Sequence, residues 1–162
     1  MIIITPNLTM AQACATQHRE EDILEEQRYP PESVRLNLKF TAFTLYEPFI
    51  GLVGPIQLNS FWRGPKLNLH LGGAAHSAHL VGLAFDSLPT RIKLVQAMKL
   101  LALSQLPFQH ALLEWGWLHL QAPERDKRPA RLMNMSFGER DSKGSIICHA
   151  FNADDPRLVR YT

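Results

Sequence analysis

Three side chains with metal-binding chemistry, His79, Asp86 and His119, fall between positions 79 and 119 of a 162-residue sequence. The run Ser77-Ala-His79-Leu-Val-Gly82-Leu-Ala84-Phe-Asp86 leads into a short strand over Gly82 to Ser87. Residues two apart on a strand share a face, so Ala84 and Asp86 point the same way. Gly82 lets the chain bend so that His79 folds back over the face carrying Asp86. Downstream, Trp117 and His119 alternate with Leu118 and Leu120, which puts His119 on one face of its own strand. Two imidazoles and one carboxylate on adjacent strands make a three-donor zinc set with a fourth position open. An ion held this way activates water and polarises a carbonyl, which is the chemistry of amide hydrolysis. A His and an Asp seven residues apart also occur by chance, and a lone histidine is more often a hydrogen-bonded core or surface residue. Spacing by itself leaves both readings open.

The elements that must position these residues divide into a helical first part and a strand-rich remainder. Leu8 to about Arg28 reads as a helix with Thr9 as N-cap, closing in the acidic run Glu20-Glu21-Asp22 and Glu25-Glu26. Tyr29-Pro30-Pro31 breaks it. Pro31 opens a second helix, whose apolar residues Val34, Leu38, Ala42, Leu45 and Phe49 recur at spacings of three and four and form a core stripe. Gly51 and Gly54-Pro55 end that helix. Ile56 to Phe61 alternates as a strand, and Arg63 to Ala78 reads as a long loop of the kind that carries function. A third helix is expected over Pro89 to Leu106, stopped by Pro107. Strands are expected next over His110–Leu113 and Trp117–Leu120, joined around Gly116. After a charged connector, Ala122 to Pro129, two more are expected near Leu132–Phe137 and Ser145–Phe151. N-terminal helices packed on a mostly antiparallel sheet give an α+β fold, with residues 1–162 expected to form a single domain.

Composition narrows the function classes. Hydrophobic residues make up 46% and charged residues 20%, an ordinary globular balance. A net charge of +2, with no basic stripe interleaved with aromatics, gives no case for nucleic acid. Met1-Ile-Ile-Ile-Thr-Pro lacks the basic, apolar and small-residue regions of a signal peptide, and no apolar run has the length of a membrane span. The expectation is a monomer made in the cytoplasm, which something else must carry to any substrate outside. Cys14 and Cys148 are read as reduced, buried thiols, with a bridge between them left open.

Several motifs occur together in order: Ser60-Phe-Trp-Arg63-Gly-Pro-Lys-Leu-Asn68, then Gly72-Gly73, then Ser77-x-His79-x-x-Gly82-x-Ala84-x-Asp86, then Glu114 shortly before Trp117-Leu-His119. Over roughly Asn7 to Met133 this arrangement closely resembles the zinc D-Ala-D-Ala carboxypeptidase family. That family comprises phage and bacterial enzymes that cut peptidoglycan peptides, with a fold shared by the hedgehog signalling domain. The resemblance implies that His79, Asp86 and His119 hold Zn²⁺ and that Glu114 is the general base. It implies that Arg63 binds a substrate carboxylate with Ser77 assisting, while Gly72 and Gly73 shape the loop. Three departures stand out: Gln109-His110 replaces the family's Asp-Gln, Ala78 replaces the Gln before the first His, and the step from Glu114 to His119 is one residue shorter than in many relatives.

The activity implied by the resemblance is that of a peptidase of peptidoglycan stem peptides, of D-Ala-D-Ala carboxypeptidase type, in a phage lysis or tail-associated role. An L-Ala-D-Glu endopeptidase with the same zinc apparatus is one alternative. A non-catalytic structural or wall-binding protein that keeps the fold is another. His70 and His76 are read as loop polar groups that could also touch substrate. Trp117 is read as a wall beside the metal, and His110 as packing or a supporting group. Lys127, Arg128 and Arg131 are read as a solvated turn that could contact wall polymer.

Overall fold

The computed structural model describes residues 2–152 and 154–161. In chain order the elements are β1 (Ile3–Thr5), β2 (Leu8–Thr9), α1 (Met10–Ala13), α2 (Glu21–Arg28), α3 (Glu32–Thr41), a π-helical turn (Ala42–Tyr46) and α4 (Glu47–Val53). Next come β3 (Ile56–Ser60), α5 (Pro65–His70), a 3₁₀ turn (Ala78–Val81), β4 (Ala84–Pro89) and α6 (Leu94–Leu103). The chain closes with β5 (His110–Leu113), β6 (Leu118–Gln121), β7 (Leu132–Arg140), β8 (Ile146–Ala150) and a 3₁₀ turn (Pro156–Tyr161). The fold is α+β. Its main sheet runs in the order β3-β4-β6-β5-β7-β8 and is antiparallel except for the parallel pair β5 and β7.

One face of this sheet is the core. Phe85 on β4 stacks near Tyr46, Phe49 and Phe61, and its cross-strand partner Leu120 is fully buried. The stripe Val34, Leu38, Ala42, Leu45 and Phe49 is buried as its spacing predicts, and Met98 and Leu101 of α6 join it. Because side chains alternate along each strand, burying Phe85, Leu118 and Leu120 turns Asp86, His119 and Gln121 to the opposite face. Hydrophobic pattern alone therefore selects which residues meet the cleft.

The structure departs from the sequence expectations in several places. The first predicted helix is split: Leu8–Thr9 pairs with Ile3–Thr5, and α1 lasts only four residues. Thr9 is the N-cap expected, with a reciprocal Gln12 bond, but the carbonyls that would continue the helix go elsewhere. Ala13 O accepts from Trp62 N, Cys14 O accepts from Gln27 Nε2, and Thr16 Oγ1 takes the His18 N–H. The second helix does not stop at Gly51, which lies inside α4; it continues through the π turn and ends at Gly54, whose φ of 81° suits glycine. The stretch read as one long loop contains α5, opened by Pro65 at its first position.

The third helix starts later than predicted, because Pro89 still pairs with Ile56 in the sheet and Thr90 bonds to Pro55 O. Arg131 is not part of a solvated turn. Its guanidinium donates to Ser104 O at 2.8 Å and Leu106 O at 2.5 Å and sits 4.7 Å above the Phe108 ring, supplying donors where the carbonyls at the end of α6 lack them. Cys14 is buried, but Cys148 is exposed, and both are free thiols. Cys148 reaches the surface because β8 is an edge strand.

Candidate metal centre and cleft

His79 is placed by a turn that other elements hold from three sides. Ser77 caps the 3₁₀ turn through its hydroxyl, and Gly82 ends it at φ 74°, where an added Cβ would also come within 3.1 Å of Val34 O. The carbonyls of Leu80, Val81 and Gly82 each accept a side-chain donor: Trp62 Nε1 at 3.1 Å, Asn37 Nδ2 at 2.8 Å and Thr41 Oγ1 at 3.0 Å. The turn is thereby pinned to α3 and to the end of β3. The His79 ring is in turn fixed by its Nδ1, 2.5 Å from the Phe61 carbonyl oxygen.

Asp86 and His119 arrive by strand register. They are direct cross-strand partners of β4 and β6, with Leu112 opposite His119 on the far side and Ser60 opposite Asp86. Three donor atoms then converge. His79 Nε2 is 3.2 Å from Asp86 Oδ1 and 3.1 Å from His119 Nδ1, and His119 Nδ1 is 2.9 Å from Asp86 Oδ1. A tetrahedral ion with bonds of about 2.0–2.1 Å separates its donors by roughly 3.3 Å, close to this triangle.

Proton placement is the stronger test. The Phe61 carbonyl only accepts, so His79 Nδ1 carries the ring proton and Nε2 presents a lone pair. Burial pushes the His79 pKa down, which keeps the ring neutral against the pull of Asp86. Burial works against ionising Asp86 too, but the neighbouring His79 and His119 outweigh it and hold the carboxyl well below the usual range. His79 Nε2 and Asp86 Oδ1 thus face each other at 3.2 Å, with His119 Nδ1 within reach of both. A cation resolves that contact for all three atoms. The donor set of two imidazoles and one carboxylate fits zinc.

The remaining predicted residues are distributed around this triangle. Arg63 bonds the second carboxylate oxygen, Oδ2 of Asp86, through Nη2 and donates from Nε to Ser60 Oγ at 2.9 Å. It thus supports Asp86 directly, leaving Nη1 without a hydrogen-bond partner among the described residues. Ser77 is occupied with its cap. Glu114 lies in the tight β5–β6 connection, where Glu114 N bonds Trp117 O and Gly116 takes a φ of 120°. The shortened step to His119 is absorbed there. Burial, and then the Asp86 charge, raise the Glu114 pKa, while His119, Arg63 and the Trp117 indole oppose the rise. Gly72 takes φ 65°, which suits glycine, and a Cβ on Gly73 would collide with the buried Asn68 side chain.

These groups share one cleft of about 1150 Å³, whose lining includes Arg63, Ser77, His79, Asp86, Glu114 and His119. Trp117 and His76 line it as well, and His110 sits with its ring 6.3 Å from that of His119, taking a hydrogen bond from Asn134 Nδ2. Its far wall is the β7–β8 hairpin, with Arg140 and Lys143. Sequence reasoning missed this wall, and it missed Phe61 O, whose contribution is a backbone atom that no side-chain pattern reveals. It also missed Gln27, buried and fully bonded to Cys14 O, Trp62 O and Gly64 N; an amide inside an amphipathic run was the available signal.

Comparison with known proteins agrees with this geometry. No curated protein is similar enough to the chain to count as a match. The peptidase M15 family model matches residues 9–111, well over half of the 162, a span that holds Arg63, Ser77, His79 and Asp86 and stops just before Glu114 and His119. The chain belongs to the peptidase M15 family and is a zinc-dependent metallopeptidase.

Proposed function

We propose that the protein cleaves peptidoglycan stem peptides as a D-Ala-D-Ala carboxypeptidase, with His79, Asp86 and His119 as the zinc ligands. The convergence of three donor atoms within 3.2 Å of one another, in a cleft that Glu114 also lines, carries this reading. Bound zinc supplies carbonyl polarisation and water activation. The chain's own residues do the rest. Glu114, whose raised pKa brings it nearer to neutrality, takes the proton of the attacking water and returns it to the leaving amine. Trp117 excludes bulk water on one side. Arg63 holds Asp86 in place and offers its remaining Nη1 to a substrate carboxylate. Ser77 keeps His79 in register through the cap.

A second reading is the L-Ala-D-Glu endopeptidase. The cleft favours it in one respect, since its volume of about 1150 Å³ is more than a terminal dipeptide fills. Digestion of a defined stem pentapeptide by zinc-loaded protein separates the two. Free D-Ala supports the first reading, and a fragment beginning with D-Glu the second. If neither product forms, the peptidoglycan assignment fails.

Arg63→Ala is expected to lower kcat/KM and to weaken zinc binding by about 10–100-fold, the usual cost of removing a partner of a ligating carboxylate. Arg63→Lys should recover little, because an ammonium cannot serve Asp86 and Ser60 together. Zinc affinity measured by competition with a chelator checks this, and unchanged affinity in Arg63→Ala would deny Arg63 its supporting role.

A further inference from the structure

We propose a second metal site, formed by His18, Glu20 and His70 beside the cleft that His18 lines, which takes zinc or a cation of similar softness. One donor atom from each of these residues lies within 4.8 Å of the others. The two oxygens of Glu20 divide between the two rings: Oε2 is 3.8 Å from His18 Nδ1, and Oε1 is 3.8 Å from His70 Nε2. Both separations exceed a hydrogen bond, so the carboxylate lies between two imidazole nitrogens without bonding either. The rings themselves meet edge to face with centroids 4.5 Å apart.

Local structure holds the donors ready. Thr16 Oγ1 accepts the His18 N–H at 3.2 Å, Glu20 Oε2 accepts the Arg19 N–H at 3.0 Å, and His70 is the last residue of α5. Two imidazoles with one carboxylate select zinc, cobalt, nickel or copper over calcium and magnesium, which want oxygen. Closing from within 4.8 Å to the roughly 3.3 Å spacing of a tetrahedral ion is a matter of rotating side chains that are partly exposed. That reorganisation makes this site the weaker of the two. Its occupation ties the segment before α2 to α5. His18 lines the cleft, and α5 leads into the Gly72-Gly73 segment, which lines it too, so the ion fastens one wall of the cleft.

Metal-free protein titrated with zinc, with bound ions counted by elemental analysis after removal of free metal, tests this. The wild type should reach two ions per chain, the second at higher free zinc. His18→Gln/His70→Gln should keep only the tight ion, and His119→Ala only the weak one. Cobalt absorption gives an independent count of nitrogen-bound sites. A wild type and a double variant that bind the same number of ions overturn the proposal. Single His70→Gln serves if circular dichroism shows the double variant unfolded. Loss of the tight ion alone bears on the His79 centre and leaves this count intact.

Discussion

His119→Ala is expected to abolish tight zinc binding and to bring peptide hydrolysis to background. The remaining donors, His79 Nε2 and Asp86 Oδ1, are two of the three that zinc needs before it retains an open position. Losing a supporting partner of a ligand already costs about 10–100-fold in affinity, and losing a ligand costs more. Replacement should also leave Asp86 Oδ1 facing His79 Nε2 with the third atom gone, so added zinc does not rescue the variant. Elemental analysis and competition with a chelator read the affinity directly. Tight zinc at full occupancy in His119→Ala would remove His119 from the centre.

Glu114→Gln separates holding the ion from moving the proton. The amide matches the carboxylate in size, so the tight turn through Trp117 and Gly116 should survive, and with it the strand register that sets His119. Zinc content should be unchanged while the rate falls by about 10²–10⁴, the usual worth of general acid–base catalysis. A variant that binds zinc and turns over at the wild-type rate would assign the proton transfer elsewhere, with His110, whose ring lies 6.3 Å from that of His119, the first candidate. Loss of rate together with loss of zinc would show Glu114 to be structural.

Much of this centre was legible because it is written in alternation. Phe85 and Asp86, or Leu118 and His119, are adjacent residues of opposite character, and a strand sends them to opposite faces. The buried stripe from Val34 to Phe49 was readable for the same reason at helical period. The features that stayed hidden depend on partners distant in sequence. The break after Ala13 comes from Trp62 and Gln27 claiming its neighbouring carbonyls, and Arg131 is recruited by the end of a helix that stops 28 residues earlier. The contact of Arg63 with Asp86 is likewise invisible in the sequence, because it requires β3 and β4 to lie side by side. Glu114 and His119 fall beyond the span of the family match, so their assignment rests on the Trp-x-His pattern and on the register of β6.

The pairing of Asp86 with His119 spans 33 residues, and that of His79 with His119 spans 40. Contacts this far apart in sequence form late, because the chain must close long loops before they are rewarded. A folding intermediate with its helices packed and β6 not yet seated would look largely native by helix content, yet it would have no centre to fill. A one-residue slip of β6 would be worse, turning His119 into the core and Leu118 or Leu120 toward the cleft. The centre would take metal only once β4 and β6 are paired, and a bound ion would act as a proofreader of their register.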